Sequence, residues 1–252
     1  MKQVERPAPV LVAAVHHDFD GLADAVLRGP TFEPLQLGDE GQEARHRHLF
    51  VERRLVGQEA QAAAEAIARA ERDLDGLVLW HEAPFAVGAD LQQVADACKA
   101  GQFDLLEKTV AKFQRAAMAL KHALVPTVAA VQGMALGGGC EFAMHATHRV
   151  LALESYLGLV EVGVGLIPAG GGSKELALRA ASLANRAAGG DVFPFIQNMF
   201  QTIAMANVSK SALQAVELGF ARASDDIVFN ARELLHVALH RARAIAESGY
   251  QP

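Results

Sequence analysis

A glycine triplet followed by a glutamate is the part of this sequence best suited to catalysis. Gly137, Gly138 and Gly139 come after an apolar run rich in β-branched residues (residues 126–131), and Glu141 follows closely. This order predicts a buried strand, a glycine turn and the start of a helix. The first N–H groups of a helix lack intrahelical partners and lie at the positive end of its dipole. Such a junction can bind an anion or stabilise a developing oxyanion.

A second glutamate, Glu161, stands in the otherwise apolar segment YLGLVEVGVGLIP. Burial among apolar residues raises the pKa of a carboxyl group. Two glutamates near one oxyanion site would suit proton transfer beside a carbonyl. Either feature alone also fits an ordinary turn or a salt-bridged core residue, and it is their combination that favours a site.

Two other residues of the helix predicted after the triplet could be read as catalytic. Cys140 has no evident base partner, so a buried, unreactive thiol is the favoured interpretation. His145 lies one helical turn beyond Glu141 on the same face, and a partly buried structural role is favoured for it. The helix is expected to end near Arg149.

Composition excludes several function classes. The 252 residues carry a net charge of −6, which argues against general nucleic-acid binding. The two cysteines, Cys98 and Cys140, match no metal-ligand spacing, and neither do the histidines His16, His17, His46 and His48, which we interpret as surface residues. No apolar run of about eighteen residues predicts a membrane span, and no signal peptide is expected.

The remaining elements alternate between helices and buried strands. A strand is expected at residues 10–15 and another at 76–80, with helices at 59–73, 91–100, 103–122, 175–184, 193–206, 211–218 and 231–248. The glycine run at residues 170–172 partly resembles a phosphate loop, but it lacks the Gly-Lys-Ser/Thr order. No G-x-G-x-x-G motif follows a strand, so neither nucleotide hydrolysis nor dinucleotide binding is expected.

Three motifs together resemble those of the enoyl-CoA hydratase/isomerase (crotonase) family. They are FAVGADL, PTVAAVQGMALGGGCEF and LVEVGVGLIPAGGG, and the clear resemblance covers residues 74–179. The sequence is most similar to the hydratase region of bacterial fused 3-hydroxyacyl-CoA dehydrogenases of fatty-acid β-oxidation. The resemblance implies an α/β fold of the crotonase type, a spiral of β-β-α units with a helical C-terminal region. The expected division is a segment of uncertain structure (1–50), a core (51–190) and the helical region (191–252).

By this resemblance, the site is an enoyl-CoA hydratase site. The N–H groups of Ala89 and Gly138 would bind the thioester oxygen, and Glu141 and Glu161 would act as acid and base. Val87, Gly88, Asp90, Gly137 and Pro168 would contact the substrate. Asp90 is also expected to cap the helix that follows it. Where many relatives have a CoA-contacting lysine this sequence has Gln92, and Arg53 or Arg54 could replace it.

The resemblance also implies assembly and location. A homotrimer or a dimer of trimers is expected, with a dehydrogenase as a possible partner, in the cytoplasm. No cofactor is implied, since coenzyme A enters as part of the acyl-CoA substrate, and no metal, nucleic acid or membrane is expected. The C-terminal helices would cover the acyl pocket or pack against a neighbouring subunit. Two alternatives remain open: an enoyl-CoA isomerase, and a non-catalytic subunit that keeps the fold for assembly.

Overall fold

The computed structural model describes residues 10–14, 56–187 and 189–252. The predictions for the N-terminal histidines and for Arg53 and Arg54 fall outside these residues. Among the helices of the described residues, none is long and apolar enough to cross a membrane.

A parallel sheet forms the centre of the fold. Its strands are β1 (Val10–Ala14), β2 (Gly76–Trp80), β3 (Thr127–Leu136), β4 (His148–Gly158) and β5 (Asp226–Val228). They lie in the order β1-β2-β3-β4-β5, and each neighbouring pair is parallel. Parallel strands need crossover connections, which helices provide here, and the α/β class predicted from the sequence is confirmed.

Helices follow the predicted order with small shifts at their ends. They are α1 (Val56–Asp73), α2 (Leu91–Lys99), α3 (Phe103–Lys121), α4 (Gly138–His145), α5 (Gly172–Arg186), α6 (Phe193–Ala204), α7 (Ala212–Glu217) and α8 (Leu234–Glu247). Short 3-10 helices occupy Glu161–Val164 and Ala231–Glu233. The division at residues 50 and 190 remains a prediction.

Both faces of the sheet are buried, which explains why its strands read as continuous apolar runs. In β2, Leu77 and Leu79 face the larger core formed with α1, α3, α4 and α5, and Val78 between them faces a smaller core. The smaller core is closed by α8 through Leu234 and Ala238. The apolar side of α8 therefore packs on its own sheet. That the C-terminal helices cover an acyl pocket or a neighbouring subunit remains a prediction.

A change of register in β3 lies close to the glycine triplet that follows the strand. The pairing with β4 shifts between Val131 and Gly133. Beyond this bulge, Ala86 lies beside the end of β3: its N–H donates to Met134 O at 3.0 Å, and Leu136 N–H donates to Ala86 O at 2.8 Å. These bonds bring the loop after Ala86 alongside the glycine triplet at the end of β3.

The prediction that α4 continues to near Arg149 is wrong. The helix ends at His145, and Arg149 lies in β4 with a fully buried side chain. Its guanidinium bonds Asp225 and the carbonyl oxygens of Ala143 and Ala146 at the end of α4. A buried arginine is stable only with such partners. Because Asp225 is distant in sequence, no local pattern could reveal it.

Candidate active site

Glu141 lies in the first turn of α4, where the glycine triplet admits a close contact between two loops. We call residues 137–139 the first glycine turn. A Cβ added to Gly139 would lie 2.4 Å from the Cβ of Ala86, so only glycine allows this approach. Gly137 N–H donates to Gly158 O at 2.9 Å, which ties the turn to the end of β4.

The carboxylate of Glu141 is held by a second glycine turn, residues 170–172. Gly172 N–H donates to its Oε1 at 2.8 Å, and Gly170 N–H donates to its Oε2 at 3.1 Å. A Cβ on Gly170 would lie 2.4 Å from Glu141 Oε2 and 2.2 Å from the Phe113 ring. The turn leads into α5, so Glu141 lies at the positive end of that helix as well.

Burial and hydrogen bonding act in opposite directions on Glu141. Burial raises its pKa, the N–H groups of Gly170 and Gly172 lower it, and the nearby charge of Glu161 raises it again. The balance leaves the pKa of Glu141 at about 7. A carboxyl group with this pKa can both accept and release a proton near neutral pH.

Glu161 lies against the first glycine turn, next to Gly137. A Cβ on Gly137 would be 3.3 Å from Glu161 Oε1. Its Oε2 is buried and has no hydrogen-bond partner among the described residues. Burial raises the pKa of Glu161. An unsatisfied buried carboxyl oxygen is costly, which is typical of a group that meets a ligand.

The two N–H groups expected to form the oxyanion hole belong to neighbouring loops. Gly138 is the first residue of α4, so its N–H has no partner within the helix. A Cβ on Gly88 would lie 3.9 Å from Gly138 N, which places the residue before Ala89 against the first glycine turn. The oxyanion assignment itself remains a prediction.

The residues expected to contact substrate lie in two places. Val87 and Gly88 are half-buried in the loop between the Ala86 bridge and α2. Asp90 Oδ1 accepts the N–H groups of Gln92 at 2.9 Å and Gln93 at 3.2 Å, so its predicted capping role is confirmed. Pro168 is buried just before the second glycine turn.

Cys140 and His145 have structural surroundings. Cys140 is fully buried, and burial raises the pKa of its thiol. His145 Nδ1 bonds the backbone carbonyl of Glu141 at 2.7 Å, so this nitrogen carries the proton. Burial lowers the pKa of His145. Both side chains agree with the favoured structural interpretation.

Sequence analysis missed two components of the site. The second glycine turn was compared with a phosphate loop, whereas its N–H groups bind Glu141. Phe113, at which the sequence predicts only a helix, has its ring against Gly138 and Gly170 and stacks edge-on with Phe142 at 4.6 Å. The shared glycine-then-helix pattern signalled the turn, whereas nothing in the sequence signalled Phe113. No cluster of three metal-ligating side chains occurs within the part of the chain described.

Comparison with known proteins identifies the family. The model described as Enoyl-CoA hydratase/isomerase matches residues 58–188. Because this match covers more than half of the sequence, the chain belongs to the enoyl-CoA hydratase/isomerase family.

Curated relatives and solved structures agree with this assignment. A Probable 3-hydroxyacyl-CoA dehydrogenase of Bacillus subtilis is 36% identical over 193 residues, which cover 76% of this chain and 24% of the relative. A Fatty acid oxidation complex subunit alpha of Pseudomonas putida is 36% identical over 124 residues, 49% of this chain and 17% of the relative. The chain thus spans a quarter or less of these relatives' length.

The structural neighbours establish the fold. The crystal structure of an enoyl-CoA hydratase from Bacillus anthracis has a TM-score of 0.59 at 22% identity, covering 75% of this chain and 66% of that one. A Geobacillus kaustophilus structure of the same description has a TM-score of 0.60 at 19% identity, covering 75% and 65%. At these identities the likeness supports the fold alone, and the chain has the crotonase fold predicted from its sequence.

Proposed function

We propose that this chain is an enoyl-CoA hydratase that adds water across the double bond of a trans-2-enoyl-CoA in fatty-acid β-oxidation. One observation carries the proposal: buried Glu141 and half-buried Glu161 lie close enough that, besides burial, the charge of Glu161 raises the pKa of Glu141, and Glu161 lies beside the first glycine turn. Family isomerases manage with one acid/base residue, so a pair favours hydration.

Each glutamate has a distinct role in the proposed step. Glu141, as carboxylate, takes a proton from a water molecule whose oxygen attacks C3 of the substrate. Glu161, as the neutral acid, delivers its proton to C2. Water is thereby added in full, and proton exchange with solvent restores both glutamates. Two interacting carboxyl groups disfavour double ionisation, which supports a starting state with one proton on the pair.

The oxyanion hole completes the mechanism. The N–H groups of Ala89 and Gly138 would hydrogen-bond the thioester oxygen and stabilise the enolate that forms during attack at C3. Val87, Gly88, Asp90, Gly137 and Pro168 would surround the acyl-CoA, and coenzyme A enters with the substrate. The α4 dipole adds positive potential at the same point.

The relatives' names suggest the wider setting. Since they describe a 3-hydroxyacyl-CoA dehydrogenase and a fatty acid oxidation complex subunit, we propose that a dehydrogenase acts on the product, on the same or a partner chain. A homotrimer or dimer of trimers, in the cytoplasm, is the assembly we propose.

The test follows loss of the ultraviolet absorbance of crotonyl-CoA with the purified chain, beside Glu141→Gln and Glu161→Gln. Each substitution should lower kcat about 10²- to 10⁴-fold, as for a lost acid or base. Glu154→Gln is the matched control, because Glu154 is an exposed glutamate on β4. It should keep the parent rate.

Other outcomes would contradict the proposal. Turnover of a 3-enoyl-CoA without hydration, abolished by only one of the two substitutions, would identify an isomerase. A folded parent that binds CoA thioesters without turning them over would exclude the hydratase. A folded parent that binds none would favour the assembly subunit.

A further inference from the structure

We infer that a cluster behind the second glycine turn, made of buried His145 and Glu175 with Lys121 and Lys174, is a positioning device that holds this turn against Glu141. We call it the anchor cluster. The inference rests on the proposed function, in which Glu141 is the base. None of the four residues was assigned a role in the reaction above.

Glu175 is the centre of the anchor cluster. Its side chain is 1% exposed, and its Oε1 contacts the ammonium groups of Lys121 from α3 and Lys174 from α5, the latter at 3.0 Å. Burial alone would raise the pKa of Glu175, but the hydrogen bonds from the two lysines lower it. The buried negative charge therefore ties the start of α5 to α3.

His145 connects this charge to α4. Because its Nδ1–H donates to Glu141 O, its Nε2 is free of a proton and accepts from Lys174 Nζ at 3.1 Å. Glu175 Oε1 lies 3.7 Å from the same nitrogen. The imidazole thus bridges the backbone of the catalytic helix and the lysine–glutamate pair.

The second glycine turn rests directly on this cluster. A Cβ on Gly171 would lie 2.9 Å from Cε1 and Nε2 of His145. Glu175 N–H donates to Gly171 O at 3.0 Å. The flanking residues Gly170 and Gly172 are the two donors to Glu141. A shift of the anchor cluster would therefore move the N–H groups that hold the base.

A positioning role predicts a signature that simple stabilisation lacks. The N–H bonds lower the pKa of Glu141, so loosening the turn must raise it. The ionisable groups packed around Glu141 are Glu161 from the 3-10 helix, Cys140 and His145 from α4, and, behind the turn, Lys121, Lys174 and Glu175. Removing the negative charge of Glu175 would by itself lower the pKa of Glu141, the opposite direction.

Glu175→Gln is thus the decisive variant. The carboxyl of Glu141 is followed in the full chain by a ¹³C-glutamate NMR titration, with Glu141→Gln assigning its signal. We expect its midpoint in Glu175→Gln to rise by about one pH unit, the effect of weakening one backbone hydrogen bond to a carboxylate. The apparent pKa of the acidic limb of the kcat/KM pH profile should rise by the same amount. We expect kcat to be about 10- to 100-fold lower.

Lys174→Met is a second variant that should fold, since the Lys174 side chain is 40% exposed and methionine keeps its apolar stem. It should also raise the midpoint. High salt separates two causes of a raised Glu141 midpoint. A shift caused only by removing the lysine charge shrinks in about 1 M salt, whereas a shift caused by lost hydrogen bonds does not. Arg241→Gln, which breaks an ion pair with Asp226 far from the turn, is the control and should leave the midpoint unchanged.

An unchanged or lowered Glu141 midpoint in folded Glu175→Gln overturns the inference, as does a Lys174→Met shift that disappears in high salt. The NMR titration needs no turnover. An inactive parent would therefore count against the hydratase proposal, and the titration would still decide the role of the anchor cluster.

Discussion

The two glycine turns share a sequence pattern and differ in what their N–H groups bind. Both lie between a strand or loop and a helix, α4 after residues 137–139 and α5 after residues 170–172. The second turn uses its N–H groups on the Glu141 carboxylate. In our proposal the first turn directs the Gly138 N–H to a substrate oxygen. A helix N-terminus can thus bind a ligand or one of the protein's own carboxylates.

This difference separates two tasks within one site. In the proposed mechanism, the second turn sets where the base lies and how readily it ionises, whereas the first sets where negative charge on the substrate is stabilised. Substitutions in the two turns should therefore differ in their pH signatures even when both reduce the rate.

The largest effect is expected from Gly170→Ala. Its Cβ would lie 2.2 Å from the Phe113 ring and 2.4 Å from Glu141 Oε2, so the Glu141 side chain must move. We expect kcat/KM to fall about 10²-fold or more, with its acidic limb displaced. Gly163→Ala is the control, because its Cβ would meet Ala206 at an ordinary 3.6 Å. Equal rates for the two variants would contradict the proposed role of the turn.

Gly139→Ala tests the first turn in the same way. The added Cβ would clash with Ala86, 2.4 Å from its Cβ and 2.9 Å from its O, and push the Ala89 loop away from Gly138. A wider oxyanion hole should lower kcat about 10- to 100-fold. The apparent pKa of the acidic limb in the kcat/KM pH profile should stay unchanged. A displaced limb would mean that the two turns do not act separately.

The pKa of Glu141 also predicts how stability depends on pH. Its value rises from an ordinary 4.5 to about 7 on folding, so the folded chain binds more protons between these pH values. Stability therefore falls as pH rises through this window, by about 3 kcal/mol for this group. Urea unfolding of the parent and Glu141→Gln at about pH 5 and pH 8 measures it. A difference between the two proteins that stays constant with pH would show that Glu141 is not shifted.

The smallest effect is expected from Phe113→Leu, which changes the wall shared by both turns. Losing the edge-on contact with Phe142 should cost about 1 kcal/mol of unfolding free energy. Phe103→Leu, at a side chain 64% exposed, should cost little and serves as control. Thermal denaturation compares them. A larger loss at Phe103 would contradict the assignment of Phe113 as the packed wall.

Most helices and strands could be predicted because apolar periodicity and capping residues lie within the element itself. The run before Gly137 identified β3, and Asp90 was assigned as the cap of α2 from its position alone. The end of α4 was misplaced because Arg149 is held by Asp225, a partner contributed by a distant loop. The anchor cluster was missed for the same reason, since Lys121 and Glu175 come from different helices.

The sequence by itself determined the α/β alternation and the family motifs, and it singled out Glu141 and Glu161 as candidate site residues. These follow from short-range periodicity and from residue types at fixed spacings in the chain. Only the tertiary structure decided that the second glycine turn holds Glu141, that Glu161 Oε2 has no partner among the described residues, and that Phe113 lies against both turns. Each of these depends on burial and on contacts between segments far apart in the chain, and burial is what raises the pKa of both glutamates.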